Sequence, residues 1–185
     1  MSRILVTGGA GYIGSHCCKA LAEAGFEPVV YDNLSTGHRS AVRWGRLIEG
    51  DMRDGAALSA ALRQVQPEAV MHFAALSLVG DSAVHPERYY DVNVTGTLRL
   101  LDAMRAASVQ RLVFSSTAAI YGEPDIVPIP ETSPEQPVNT YGATKRACER
   151  MMADFDAAHG IRSVRLRYFN AAGADPAGEI GEDHD

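Results

Sequence analysis

Tyr141 and Lys145 stand four residues apart in Tyr141-Gly142-Ala143-Thr144-Lys145, a spacing that puts a phenol and an ammonium on one helix face. An unperturbed tyrosine titrates near ~10, too high for a base at neutral pH. A neighbouring cation favours the phenolate and brings it toward the working range. Ser115-Ser116-Thr117 closes a short apolar run, and a hydroxyl there can bridge a substrate hydroxyl and the tyrosine oxygen. The plainer reading of Ser116 and Thr117 is that they satisfy backbone groups at a strand end. Taken as a set, these groups describe proton removal from an alcohol whose carbon gives up a hydride.

A hydride needs an acceptor, and the N-terminus carries the pattern of one. Thr7-Gly8-Gly9-Ala10-Gly11-Tyr12-Ile13-Gly14 contains Gly9-x-Gly11-x-x-Gly14 and Gly8-x-x-Gly11-x-x-Gly14. Glycines allow a tight turn, let backbone N–H groups approach a pyrophosphate, and open a helix whose positive dipole end faces the anion. Asp32 follows Gly14 by 18 residues, where an acid takes the adenosine ribose hydroxyls. A carboxylate there repels a 2′-phosphate and favours NAD over NADP, although Arg39 is near enough in sequence to keep the phosphate open. Asp51 is placed to accept the adenine amino group or, equally, to cap its own loop. Phe73-Ala74-Ala75 offers small residues where a flat cofactor can lie against backbone.

The elements that would position these residues alternate. Short apolar runs at 4–7, 27–31, 47–49, 69–73, 111–115 and 163–168 read as strands. Amphipathic stretches at 12–24, 54–65, 86–107 and 140–159 read as helices, with Pro86 in a first turn and Gly25 and Gly160 as stops. A Pro-rich loop fills 122–137. Apolar strands alternating with helices mean a parallel sheet covered on both faces, here a doubly wound α/β sheet.

Composition narrows the class. The chain has 185 residues, 46% hydrophobic and 22% charged, enough apolar mass for one real core. Its net charge of −6 without a basic block argues against nucleic acid, which requires clustered Lys and Arg. No stretch approaches the roughly 20 apolar residues of a membrane span. Ser2-Arg3 leads straight into Ile4-Leu5-Val6 and then glycine, too short for a secretory signal, so a cytoplasmic location is expected. Three cysteines, 17, 18 and 148, lack disulfide or zinc spacing and read as packed thiols. The six histidines (16, 38, 72, 85, 159, 184) are scattered, so no metal is expected, and His184 in the acidic tail reads as solvated. The tail itself, 171–185, is small, polar and acidic and reads as closing no further element.

The segments 7–16 (TGGAGYIGSH), 31–34 (YDNL), 72–76 (HFAAL), 89–100 (YYDVNVTGTLRL), 114–122 (FSSTAAIYG), 141–145 (YGATK) and 167–173 (RYFNAAG) resemble the UDP-glucose 4-epimerases of the extended short-chain dehydrogenase/reductase family. The glycine loop and Tyr-x-x-x-Lys mark only the superfamily, whereas 89–100 and 167–173 are more specific. The resemblance implies a Rossmann-type NAD-binding domain over 1–170, with 171–185 starting a substrate region that is largely missing. It implies a tightly held NAD, reduced and reoxidised within one turnover, and interconversion of UDP-glucose and UDP-galactose by transient oxidation at the sugar C4. By analogy Tyr141 is the catalytic base and acid. Lys145 holds the nicotinamide ribose and lowers the tyrosine's pKa, and Thr117 hydrogen-bonds the sugar's 4-hydroxyl. Gly8, Gly11, Tyr12, Ile13, Gly14, Asp32, Asn33, Asp51, Met52, Phe73, Ala74, Asn93, Ser115, Tyr141, Lys145 and Tyr168 match cofactor-contact positions. Phe169 and Asn170 match positions near the substrate, with Thr117 and Tyr141. Ser77 stands where well-known members carry a lysine. A homodimer pairing the helices that begin near Pro86 and Thr140 is implied for the full-length form.

Alternatives stay open. A nucleotide-sugar 4,6-dehydratase needs an acid pair after the strand-end threonine, and Ala118-Ala119 stand there instead. Epimerases, decarboxylases or reductases acting on other nucleotide sugars remain, as does a non-catalytic NAD-binding module.

Overall fold

The computed structural model describes residues 1–183; the reading of His184 as solvated lies outside the described residues. Six parallel strands form one sheet: β1 (Arg3–Thr7), β2 (Glu27–Asp32), β3 (Arg46–Glu49), β4 (Ala69–His72), β5 (Arg111–Ser115) and β6 (Arg162–Leu166). Their order is β3-β2-β1-β4-β5-β6, the doubly wound arrangement expected. The central strands are apolar along their length because both faces are covered. Leu5, Val29 and Val70 join one core with Leu58, Leu62, Leu100, Met104 and Met152, while Ile4, Val6 and Val30 pack with Cys18 on the opposite face. Each strand thus splits its residues by the two-residue period of extended backbone.

Among the described residues six α-helices connect the strands: α1 (Tyr12–Glu23), α2 (Gly55–Val65), α3 (Val79–Val84), α4 (Pro86–Tyr89), α5 (Gly96–Ala106) and α6 (Thr140–His159). α2 packs on α5 and α5 on α6 over the first core, and α1 supplies Cys18 and Leu21 to the second. From β1 the chain winds outward through β2 to β3, then crosses back to β4 on the other side of β1. The connections therefore diverge at the carboxyl ends of β1 and β4, and a crevice opens there.

Two differences from the sequence reading bear on that crevice. The expected helix over 86–107 is interrupted by a π-helical turn, Tyr90–Thr95. Inside it the Thr97 hydroxyl donates to the Asn93 carbonyl at 2.6 Å and the Cys148 thiol donates to the same oxygen at 3.3 Å; such side-chain bonding competes with the regular ladder. The sixth strand ends at Leu166 rather than Tyr168, although Ser116 N–H still donates to Leu166 O and Ala118 N–H to Tyr168 O, both at 3.0 Å. The chain is thereby carried off the sheet toward the cleft.

The segment 171–183 forms no helix or strand, but it is docked. Lys19 on α1 donates to Asp175 at 2.6 Å and to Glu179 at 2.9 Å, Arg43 donates to Glu179, and the Tyr12 hydroxyl donates to the Gly173 carbonyl. Among the described residues no helix is long and apolar enough to cross a membrane.

Candidate active site

The carboxyl ends of the strands border a cleft of about 2110 Å³. That exceeds the roughly 300–1,000 Å³ of ordinary small-molecule pockets and leaves room for a dinucleotide and a second ligand together. At one end lies the glycine turn. Gly8 has φ +73, and a Cβ there would fall 2.4 Å from the Ala74 nitrogen; a Cβ on Gly14 would fall 2.1 Å from the Gly8 carbonyl oxygen. Both positions exclude every side chain, because β1, α1 and the end of β4 converge on them. Gly11 then caps α1 without a side chain, and the first turn of α1 holds no acid. By contrast Asp54 caps α2 by accepting from Ala56 and Ala57 N–H, and Asn139 caps α6 by accepting from Gly142 N–H. Of these three, α1 alone lacks a capping side chain for its first-turn N–H groups, and it lines the cleft with Tyr12, Ile13 and Gly14, as an anion site requires.

Asp32 stands beside this turn at the end of β2. One carboxylate oxygen accepts Ala10 N–H at 3.0 Å and the other accepts Leu34 N–H at 2.9 Å, which fixes the group at the cleft wall. Arg39 is ion-paired with Glu49. Asn33, Met52, Phe73 and Ala74 also line the cleft. Asp51 and Asn93, expected at the cofactor, do not. The Asp51 carboxylate is clamped by the Arg53 guanidinium at 2.8 and 2.9 Å and by Asn33 Nδ2 at 3.0 Å, which holds it below the usual carboxylate range. Asn93 is buried behind the wall, where it exchanges two hydrogen bonds with the Leu76 backbone and donates to Thr144. It shapes the loop after β4 from behind.

At the opposite end, the close of β5, α6 and the chain after β6 bring together Ser115, Thr117, Tyr141, Lys145, Tyr168, Phe169 and Asn170, all of which line the cleft. The Asn139 cap starts α6 immediately before Tyr141, and the buried Ser82 hydroxyl of α3 accepts Tyr141 N–H at 3.3 Å. Lys145 is 2% exposed. Its ammonium donates to the Ser115 carbonyl at 2.8 Å and lies 4.8 Å from the Phe114 ring centre and 5.8 Å from that of Tyr141. Burial pulls its pKa down to about 8. The Tyr141 phenol is raised, chiefly by burial, while its hydrogen bond with Thr117 acts in the opposite sense. Lys145 directs its hydrogen bond to the Ser115 carbonyl, and burial is the first cause acting on the Tyr141 phenol. Ser115 Oγ and the Tyr168 hydroxyl are hydrogen-bonded. His72, beneath, bonds Thr7 at 2.7 Å and Thr97 at 3.0 Å, and burial drops its pKa to about 3, so it is a neutral polar brace.

Sequence reasoning missed several cleft residues. The turn after Asn33 brings Thr36, Gly37 and His38 to the glycine loop, with His38 N–H donating to Ala10 O at 2.9 Å; Gly37, whose Cβ would lie 2.8 Å from the Ala10 carbonyl carbon, was the available signal. The docked tail adds Gly178 to Asp183, and the Pro-rich loop adds Val127 to Ile129, neither of which carries a spacing rule. Among the described residues no group of His, Cys, Asp and Glu is arranged to hold a metal ion.

Known proteins share this arrangement. Residues 4–184 match the profile of the NAD dependent epimerase/dehydratase family. The chain is similar to the UDP-glucose 4-epimerase of Rhizobium meliloti (strain 1021), 54% identical over 184 residues, which is 100% of this chain and 56% of that protein. It is similar in structure to the UDP-glucose 4-epimerase of Brucella ovis in complex with NAD, with a TM-score of 0.98 and 53% identity over 100% of this chain and 57% of that one. The UDP-glucose 4-epimerase of Bifidobacterium longum in complex with NAD+ and UDP superposes with a TM-score of 0.94 at 35% identity, covering 99% of this chain and 58% of that one. The chain thus spans little more than half the length of the relatives it matches.

Proposed function

The chain belongs to the NAD dependent epimerase/dehydratase family, and on that premise we propose that it holds NAD in the cleft and serves the interconversion of UDP-glucose and UDP-galactose. The observation that carries the cofactor reading is the glycine turn, closed to any Cβ and leading into a helix start without a capping side chain, beside a carboxylate fixed by two backbone N–H groups. Gly8, Gly11, Tyr12, Ile13 and Gly14 would hold the diphosphate and Asp32 the adenosine ribose, with Asn33, Met52, Phe73 and Ala74 along the dinucleotide. Bound NAD would supply the acceptor for the hydride at C4 and the source for its return.

The residues of the chain do the rest. Thr117 orients the sugar's 4-hydroxyl, and Tyr141 takes its proton and later returns it. Lys145 would hold the nicotinamide ribose, and its charge near the phenol would offset the burial that holds the phenol protonated. Ser115 and Tyr168 wall the nicotinamide end, and Phe169 and Asn170 meet the sugar. The width of the cleft lets an oxidised sugar turn its other face before Tyr141 gives back the proton. A homodimer through the α4–α5 and α6 faces is part of the same reading.

Incubating the NAD-loaded protein with UDP-galactose and following UDP-glucose by NMR of the anomeric protons tests it. Conversion that disappears in Tyr141→Phe supports the reading. A folded, NAD-loaded chain that converts nothing favours a binding module.

A further inference from the structure

Tyr141, Lys145 and Glu149 repeat every four residues along α6, one turn apart. Lys145 and Glu149 are both nearly fully buried, 2% and 3% exposed. A lysine and a glutamate at this spacing are neighbours on the helix surface and can pair with each other. Here they point to different partners. Lys145 donates to the Ser115 carbonyl, whereas Glu149 accepts from the neighbouring Ser116 hydroxyl and from Arg167, whose Nε lies 3.0 and 3.2 Å from its two oxygens. Arg167, just past β6, also donates to the Tyr121 hydroxyl at 2.8 Å and to Glu135 of the Pro-rich loop.

We propose that Arg167 is a positioning residue: by engaging Glu149 it keeps that carboxylate away from Lys145, so that the ammonium stays available to the Tyr141 phenol and to the cofactor side of the cleft. The proposal rests on the Tyr141–Lys145 reading above and adds a part to it. Without the guanidinium, Glu149 would be a buried carboxylate stripped of that partner, and Lys145, as deeply buried, stands one turn away on the same helix. A planar fork suits the task, since it satisfies both carboxylate oxygens and keeps donors for Tyr121 and Glu135.

The other groups facing Lys145 are few. Tyr141 and Cys148 share α6, neutral His72 lies on β4 and the Phe114 ring on β5. Arg146 on α6 pairs with Glu135 at 3.4 Å and so belongs to the Arg167 side. None of these supplies the carboxylate that Glu149 would bring.

The chain contains only two lysines, Lys19 and Lys145, so NMR of protein labelled with [13Cε]lysine reads Lys145 with Lys19 as an internal control. In the wild type Lys145 is expected to titrate well below Lys19, which its two acidic partners raise. In R167M the Lys145 midpoint rises by about one pH unit, a tenfold gain in proton affinity, while Lys19 stays put. In E149Q/R167M it returns to within about 0.3 unit of wild type, because removing both charges leaves Lys145 no new partner. That double variant also guards against misfolding of R167M, since replacing both members of a buried pair is commonly tolerated. An R167M midpoint equal to wild type in a folded protein overturns the proposal. So does a double variant displaced by more than about half a unit, which would show the intact pair already acting on Lys145. The underlying reading is checked separately by [13Cζ]tyrosine titration of K145M with NAD bound. A Tyr141 midpoint unmoved there removes the Tyr–Lys assignment and leaves the lysine result standing.

Discussion

Around the glycine turn the molecule presents backbone to the cleft, whereas at the close of β5 and the start of α6 it presents side chains. The first region works by exclusion: Gly8 and Gly14 sit where a Cβ would meet backbone at 2.4 and 2.1 Å, and Gly11 leaves the start of α1 without a side-chain cap. The second is fully capped and braced, with Asn139 closing α6, Ser115 holding Lys145 and Thr117 holding Tyr141. The contrast separates two jobs. Backbone dipoles grip an anion without a titratable group, so that end need not respond to pH. Proton transfer needs groups whose charge can change, and those need burial and partners to set when it does.

The contrast can be broken from either end. The largest effect is expected at the side-chain end: Tyr141→Phe should cost about 10²–10⁴-fold in turnover while leaving NAD affinity and melting temperature nearly unchanged, measured by steady-state rates and calorimetry. At the backbone end the pattern reverses. Gly14→Ala should destabilise the fold by about 3 kcal/mol, since a methyl forced onto backbone cannot be relieved by a rotamer change, and weaken NAD binding in titration calorimetry.

Next comes the brace under both ends. His72 is neutral when folded, with its pKa at about 3 against ~6.5 when unfolded. The unfolded chain therefore binds the extra proton between those values, and stability falls as pH drops through that window. Urea unfolding at pH 7 and pH 5 should show wild type losing about 2 kcal/mol more than His72→Asn. Smallest is Arg39→Gln. Arg39 and Glu49 form an exposed pair, so stability should change by less than about 0.5 kcal/mol and the preference for NAD over NADP should hold. A marked loss of NADP binding would instead place Arg39 at the cofactor.

Much of this was legible in the sequence, and the same contrast shows why. Strands such as Ile4-Leu5-Val6 are short apolar runs because both their faces are covered, and glycine spacing reports steric exclusion directly. Tyr141 and Lys145 were readable as a pair because helical spacing is local. What escaped depends on partners far along the chain. The tail was readable as acidic, but its docking joins Lys19 to Asp175 across the whole domain. Glu149 and Arg167 carry no spacing rule that joins a helix to the end of a strand. The π-helical turn at Tyr90–Thr95 is a shift of hydrogen bonds that leaves composition unchanged, and α3, six residues long, is too short to show a period. Asp51 and Asn93, expected at the cofactor by likeness, also bond Arg53 and the Leu76 backbone, partners that likeness alone does not show.

The central claim is that one cleft grips a dinucleotide by backbone at α1 and works on it by side chains at α6. A crystal structure of this chain with NAD tests that most directly. The expected result is the diphosphate within hydrogen-bond distance of the N–H groups at the start of α1, the adenosine ribose on Asp32, and Lys145 moved from the Ser115 carbonyl to the other ribose. A diphosphate bound away from α1, or a nicotinamide out of reach of Tyr141, would contradict it.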